Sequence, residues 1–324
     1  MMEQQNEIVH KQLNVNGINM HVAELGSGPN AILFLHGFPE LWYSWRHQMS
    51  FLAAKGYRAI APDLRGYGGT TGAPPSASAY TVLHIVGDLV SLLDALGLEQ
   101  VFLVGHDWGA IIAWWFCLLR PDRIKALVNS SLIFQPRNPL VKTIQGYRDQ
   151  LGDGFYMCRF QEPGKAEAAF GSTDTATVIR TFLCTQSSSP LVIPEPIGLD
   201  ALFKAPASPL PSWLTEDDIN YYAANFEKTG FTGGLNYYRA MDLSWELTGP
   251  WTGSQVKVPV KFLIGDQDLT YRFPGVRDFI ESGGFKKFVP LLEPVVVMEG
   301  VGHFLNQEKA LEFSQHVYDF ITKF

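Results

Sequence analysis

Val101-Phe102-Leu103-Val104-Gly105-His106-Asp107-Trp108-Gly109-Ala110 is the stretch that decides the fold. Val101 to Val104 is a short apolar strand, and the apolar run from Ala110 to Leu119 is a helix closed by Pro121. A strand-to-helix turn of this kind lifts its middle residue, here Asp107, clear of the sheet. The turn brings backbone segments close together, so small residues are required two positions to either side, and Gly105 and Gly109 supply them. In a chain with 30 glycines the bare spacing carries little weight. The position after an apolar strand and before a helix is what counts. The plainer reading is that Asp107 only caps the helix.

Working outward, Ala31 to His36, Tyr57 to Ala61 and Ile124 to Val128 read as further strands. Val82, Ile85, Val86, Leu89, Leu92, Leu93 and Leu96 share one helical face, with Gly97 as the stop. Strands alternating with helices predict βαβ units and a mainly parallel sheet, an α/β fold. The alternation lapses between residues 132 and 250. Six prolines fall between Ser189 and Pro211, and Trp213 to Tyr222 looks helical. It resumes with strands at Val258 to Ile264 and Val295 to Met298, then a last helix capped by Asn306 with Phe313, Val317, Phe320 and Ile321 on its core face. The expected layout is a core of residues 1–131 and 251–324 interrupted by a helical cap, 132–250.

Composition narrows the function classes. Charged residues make up 18% of the chain and hydrophobic ones 46%, which excludes wholesale disorder. A net charge of -7 with no basic cluster argues against nucleic acid or an anionic membrane as partner. Three cysteines (Cys117, Cys158 and Cys184) lack paired spacing, so a reducing compartment and no disulfide framework are expected. No metal-ligand spacing joins the Cys and His residues, and no metal or cofactor is expected. Met1 to Lys11 is too polar for a signal peptide, the apolar run at 110–119 is too short to span a bilayer, and the last residues are not a Ser-Lys-Leu address. A cytoplasmic protein, monomer or homodimer, is the expectation.

An aspartate at the elbow selects the chemistry. A carboxylate needs no base to activate it and can displace at a saturated carbon, leaving an alkyl ester; water must then cleave that ester with the help of a base. His303 follows the strand at 295–298 and precedes the last helix, which suits that base. Its orienting acid should follow an earlier strand, where Asp268 fits and Asp266 competes. Nucleophile, acid and histidine in that order is the order of the α/β-hydrolase fold. In that fold the loop after the strand ending at His36 and the residue after the nucleophile each give a backbone N–H to an oxyanion hole, which assigns the Phe38 and Trp108 amides.

His36-Gly37-Phe38-Pro39-Glu40, Asp63-Leu64-Arg65-Gly66-Tyr67-Gly68 and Gly105-His106-Asp107-Trp108-Gly109 together resemble soluble epoxide hydrolases, nearest the plant type, over almost the whole chain. Tyr156 ahead of Arg159-Phe160-Gln161-Glu162-Pro163-Gly164, and Asn236-Tyr237-Tyr238-Arg239, extend the likeness into the cap. Gly69 departs from it, standing where many relatives carry an acidic residue. The resemblance implies two cap tyrosines binding the epoxide oxygen, at Tyr156 and Tyr238, with Tyr237 an adjacent competitor. A phenol with a pKa of about 10 stays protonated until the alkoxide forms. The implied partners are a small apolar epoxide and water. A haloalkane dehalogenase would share Asp107, Asp268 and His303, with Trp108 as a halide donor. A non-catalytic receptor on the same fold is the third reading, and the intact set of three argues against it. A serine esterase is excluded at the elbow.

Overall fold

The computed structural model describes residues 7–184, 189–204 and 209–324. The polar segment 1–6 and parts of the Pro-rich stretch lie outside them. Eight strands form one sheet: β1 (Val9–Val15), β2 (Ile18–Leu25), β3 (Ala31–Leu35), β4 (Arg58–Pro62), β5 (Val101–His106), β6 (Ile124–Ser130), β7 (Val260–Gly265) and β8 (Val296–Met298). Their order is β1-β2-β4-β3-β5-β6-β7-β8. β1 and β2 pair antiparallel, β2 joins β4 antiparallel, and every later pairing is parallel.

Every residue of β3 and β5 is buried. Helices cover both faces of a parallel sheet, so its central strands read as unbroken apolar runs rather than alternating ones. The helix Val82–Ala95 turns Val82, Ile85, Val86, Leu89, Leu92 and Leu93 inward. Its N-cap is Thr81, whose hydroxyl accepts from the His84 amide.

Several boundaries differ from the sequence expectation. β1 and β2 carry no apolar run, and the sequence reading does not include them. β1 is an edge strand, exposed or half-buried as far as Asn14, and polar residues are what an exposed edge requires. The strand at 57–61 runs from Arg58 to Pro62 instead, and β7 begins two residues later than expected, at Val260. Asn306 does not cap the final helix. It lies inside the short helix Leu305–Glu308, and its side chain donates to the Ser44 carbonyl at 3.2 Å. The final helix, Ala310–Ile321, has Lys309 at its N-cap with no side-chain cap, and its buried face includes Phe313, Val317, Phe320 and Ile321.

Between β6 and β7 the described chain adds no strand to the sheet and forms seven α-helices, the longest being Glu216–Thr229. That helix begins later than Trp213 because Thr215 and Asp218 close a capping box at its start. It docks on the core through polar contacts: Tyr222 Oη lies 2.7 Å from Ser44 Oγ, the Trp42 indole donates to Tyr221 Oη at 2.9 Å, and Asp218 pairs with Arg46 at 3.0 Å. A second helix, Thr232–Arg239, approaches so closely that a Cβ on Gly233 would lie 2.2 Å from the Gly66 carbonyl oxygen. Among the described residues no helix is long and apolar enough to cross a membrane. Cys117, Cys158 and Cys184 are all free and buried.

Candidate active site

Asp107 sits between β5 and the helix Trp108–Leu119 with φ 52° and ψ -124°. A non-glycine residue held at positive φ costs on the order of 1–3 kcal/mol and persists only where its surroundings enforce it. The surroundings here are crowded. A Cβ on Gly109 would stand 2.0 Å from the Leu35 carbonyl oxygen, and one on Gly105 would stand 2.5 Å from Asn129 Oδ1. One on Gly37 would meet Asp107 itself, 2.4 Å from Oδ1. The glycines thus let three backbone segments converge under one carboxylate.

That carboxylate is buried and directed. Its Oδ1 accepts the Phe38 amide at 2.8 Å. Trp108 opens the helix, so its amide is among the first-turn donors without an intrahelical acceptor. On the other side, Asp107 Oδ2 lies 3.5 Å from His303 Nε2. The opposite ring nitrogen, Nδ1, donates to Asp268 Oδ1 at 3.0 Å. Asp266 is turned elsewhere, accepting the Gly300 and Val301 amides at 2.8 and 3.3 Å. Asp268, not Asp266, is therefore the acid on the histidine. Burial pushes the His303 imidazole down, but the Asp268 and Asp107 carboxylates outweigh it and hold the ring well above the ordinary histidine range. Burial likewise pushes Asp268 up, and the His303 charge and hydrogen bond bring it below the usual carboxylate value.

The helical segment between β6 and β7 supplies the remaining wall. Tyr156 and Tyr238 lie with ring centroids 6.0 Å apart, and Tyr238 stands edge-on to the Trp108 ring at 5.0 Å. Burial first, then the Asp107 charge, raises Tyr238 well above the ordinary phenol value; side-chain hydrogen bonds with Trp108 and Tyr156 oppose this. Tyr156 is raised in the same direction by burial, Tyr238 and Asp107. Tyr237 is engaged otherwise, its hydroxyl donating to the Arg65 carbonyl at 2.9 Å. The Phe38 ring packs edge-to-face against Tyr238, Phe160, Phe182 and Phe231, so aromatic carbon surrounds the tyrosines.

The alpha/beta hydrolase fold family matches residues 30–309. The chain is 63% identical over 318 residues to epoxide hydrolase 3 of Siraitia grosvenorii, spanning 98% of this chain and 99% of that protein. It is 36% identical over 321 residues to epoxide hydrolase A of Mycobacterium tuberculosis, spanning 96% of each. The chain belongs to the epoxide hydrolase family. Solved structures agree. The epoxide hydrolase of Vigna radiata superposes with a TM-score of 0.95 at 57% identity, covering 100% of this chain and 99% of that one. Potato epoxide hydrolase I gives 0.94 at 55% identity, covering 98% of this chain and 100% of that one.

This epoxide hydrolase fold carries further polar groups at the site that sequence reasoning passes over. His106 Nε2 lies 2.7 Å from the His303 carbonyl oxygen, which can only accept, so Nε2 carries a proton. Its Nδ1 lies 2.8 Å from Glu40 Oε2. Burial pushes Glu40 up, but the His106 charge and hydrogen bond outweigh it and bring the carboxyl down to about 2. An ionised Glu40 accepts from Nδ1 as well, which makes His106 an imidazolium. Burial pushes the His106 ring down, and Glu40 outweighs it to raise it. A wholly buried ion pair thus underlies the elbow and grips the His303 backbone. Glu40 and His106 lie inside two of the motifs quoted above, but 66 positions apart, and only the fold makes them neighbours. Ser131 is missed too. It leaves β6 at φ 70°, with Oγ 3.1 Å from His303 Nδ1. Its place at the carboxyl end of a parallel strand is the signal that could have found it.

Proposed function

We propose that the protein opens apolar epoxides to vicinal diols through an alkyl ester on Asp107. The reading is carried by one observation. A single carboxylate, Asp107, meets a histidine–carboxylate pair and lies within electrostatic reach of two phenols, with the Phe38 amide fixing its orientation. Tyr156 and Tyr238 hold the epoxide oxygen, and their raised pKa values keep both protonated at neutral pH. Asp107 attacks a ring carbon, the C–O bond breaks, and a tyrosine gives its proton to the leaving alkoxide.

The attack also prepares the base. While Asp107 is a carboxylate it helps to keep His303 protonated. Esterification removes that negative charge, so His303 loses one of the influences that hold its proton and releases it, which returns the tyrosinate to a phenol. The neutral ring, oriented through Nδ1 by Asp268, then takes a proton from water as the water adds to the ester carbonyl. The Phe38 and Trp108 amides stabilise the tetrahedral oxyanion. Collapse releases the diol and restores Asp107. The route needs no cofactor or metal, because a carboxylate is the nucleophile and an imidazole the base.

Residues 132–250 act as a helical cap that brings the tyrosines, and 1–131 with 251–324 as the core that brings the other groups. The phenylalanines around Phe38 favour an apolar substituent on the epoxide. Three unpaired cysteines support a reducing, cytoplasmic setting. The test is an assay of the purified protein on an aryl epoxide and a haloalkane side by side, with Asp107→Ala as control. Diol from the epoxide, no halide release and an inert variant are expected. Halide without diol would assign a dehalogenase, and silence on both substrates a receptor.

A further inference from the structure

His303 has to present Nε2 to the Asp107 ester within a few tenths of an ångström, yet it lies on a connection between β8 and a four-residue helix, Leu305–Glu308. The last residue of that helix folds back over the connection. Glu308 Oε2 accepts the Gly302 amide at 2.8 Å, and Oε1 accepts the Phe304 amide at 3.0 Å. One carboxylate therefore takes the N–H on each side of His303. The approach is close: a Cβ on Gly302 would lie 2.9 Å from Glu308 Oε1, so a methyl there would push the carboxylate off the bracket. The helix beneath Glu308 is itself anchored to the core. Asn306 donates to the Ser44 carbonyl, and Gln307 donates to Glu40 at 3.2 Å while accepting from Arg46 at 2.9 Å.

We propose that Glu308 is a positioning residue for the base: its carboxylate brackets His303 through both flanking amides and holds Nε2 on the ester for the hydrolytic half-reaction. The inference rests on the proposed function. Other contacts fix the ring's tilt through Asp268 and the carbonyl through His106, but neither holds the two amides. In Glu308→Gln the isosteric side chain would keep one acceptor and turn an NH2 against the second backbone amide, so half of the bracket is lost. The charge matters as well. Burial raises the Glu308 carboxyl, while the two amides and the His303 charge oppose that rise. By reciprocity Glu308 favours the protonated ring, alongside Asp268 and Asp107 and against the imidazolium of His106.

The two halves of the reaction separate this role from a merely structural one. Attack by Asp107 does not use His303; cleavage of the ester does. With styrene oxide, Glu308→Gln is expected to lower kcat by about 10- to 100-fold, the scale of a misplaced catalytic group. Its kcat/KM should stay near that of the parent, so KM falls with kcat, and the Asp107 adduct should accumulate in quenched samples read by mass spectrometry. A loss of folded protein would instead lower kcat and kcat/KM together, with KM unchanged and no adduct. That result, or an unchanged kcat, would overturn the proposal. If the parent protein makes no diol, it is the proposed function that fails, and the bracket is judged by NMR titration of the His303 ring. Glu308→Gln should then move its midpoint to lower pH, and an unmoved midpoint would overturn the proposal.

Discussion

In the proposed mechanism Asp107, His303 and the two tyrosines divide the work in time, and single substitutions should expose the division. His303→Asn leaves the nucleophile and the acids in place, so the first turnover should still form the ester. Steady-state turnover should fall by at least about 10³-fold, as when a member of such a constellation is removed. A burst of one equivalent per site with a stable protein adduct is the reading that checks it. Tyr238→Phe should slow formation of the same ester, by about 10²- to 10⁴-fold if it is the main acid, and stopped-flow alkylation rates measure this directly. The charge switch gives a pH signature. Asp107 and Asp268 hold His303 raised in the resting enzyme, and the proposed esterification would remove the Asp107 contribution. The acid limb of kcat should therefore lie at lower pH than the His303 titration of the resting enzyme followed by NMR. At this scale the sequence is legible where a residue type selects the chemistry proposed for it, as at Asp107. It is not legible where a partner decides between neighbours. Tyr237 and Tyr238 are chemically identical, and only the Arg65 carbonyl, which occupies the Tyr237 hydroxyl, separates them.

Turns set the elements, and their glycines act for two different reasons. At Gly17 (φ 82°) nothing lies within 4 Å of where a Cβ would stand, so alanine there meets only backbone strain, worth about 1 kcal/mol. At Gly109 the same methyl would meet the Leu35 carbonyl at 2.0 Å, so Gly109→Ala should cost about 3 kcal/mol or fail to fold. Urea unfolding of the two variants separates crowding from conformational strain. Asn16-Gly17 also marks a feature that the sequence displays openly. Both residues take positive φ, at 47° and 82°, which is the signature of a two-residue hairpin turn. The dipeptide is visible, but the strands beside it lack the apolar run by which the other strands are recognised. The elbow is legible because the apolar strand, the two glycines and the apolar helix all state the same geometry.

Across the molecule, the α/β class of the core follows from the alternation of apolar runs, while the contacts between distant segments do not. Glu40, His106 and Gln307 form one buried network, joined at its edge by Arg46 and drawn from three parts of the chain. Nothing local in the sequence marks such a network, because each member is polar and interior only by virtue of the others. Its pH dependence follows from the shifts. Glu40 is held at about 2 against an ordinary 4.5, so its contribution is complete above pH 4.5 and is lost as the pH falls toward 2. His106 is raised from 6.5, so its contribution is complete below pH 6.5 and fades as the pH rises through the raised value. Glu40→Gln should cost about 3–5 kcal/mol near pH 6, the scale for breaking a buried ion pair. The gap between variant and parent in urea unfolding should narrow as the pH is taken from 6 toward 3. The covalent route itself is tested most directly by oxygen labelling, in a single turnover with protein in excess over epoxide in ¹⁸O-water. Unlabelled diol, with the heavy oxygen in the peptide that contains Asp107, is the expected result. Heavy oxygen in the diol from that first turnover would mean that water attacks the epoxide directly, and would contradict the ester on Asp107.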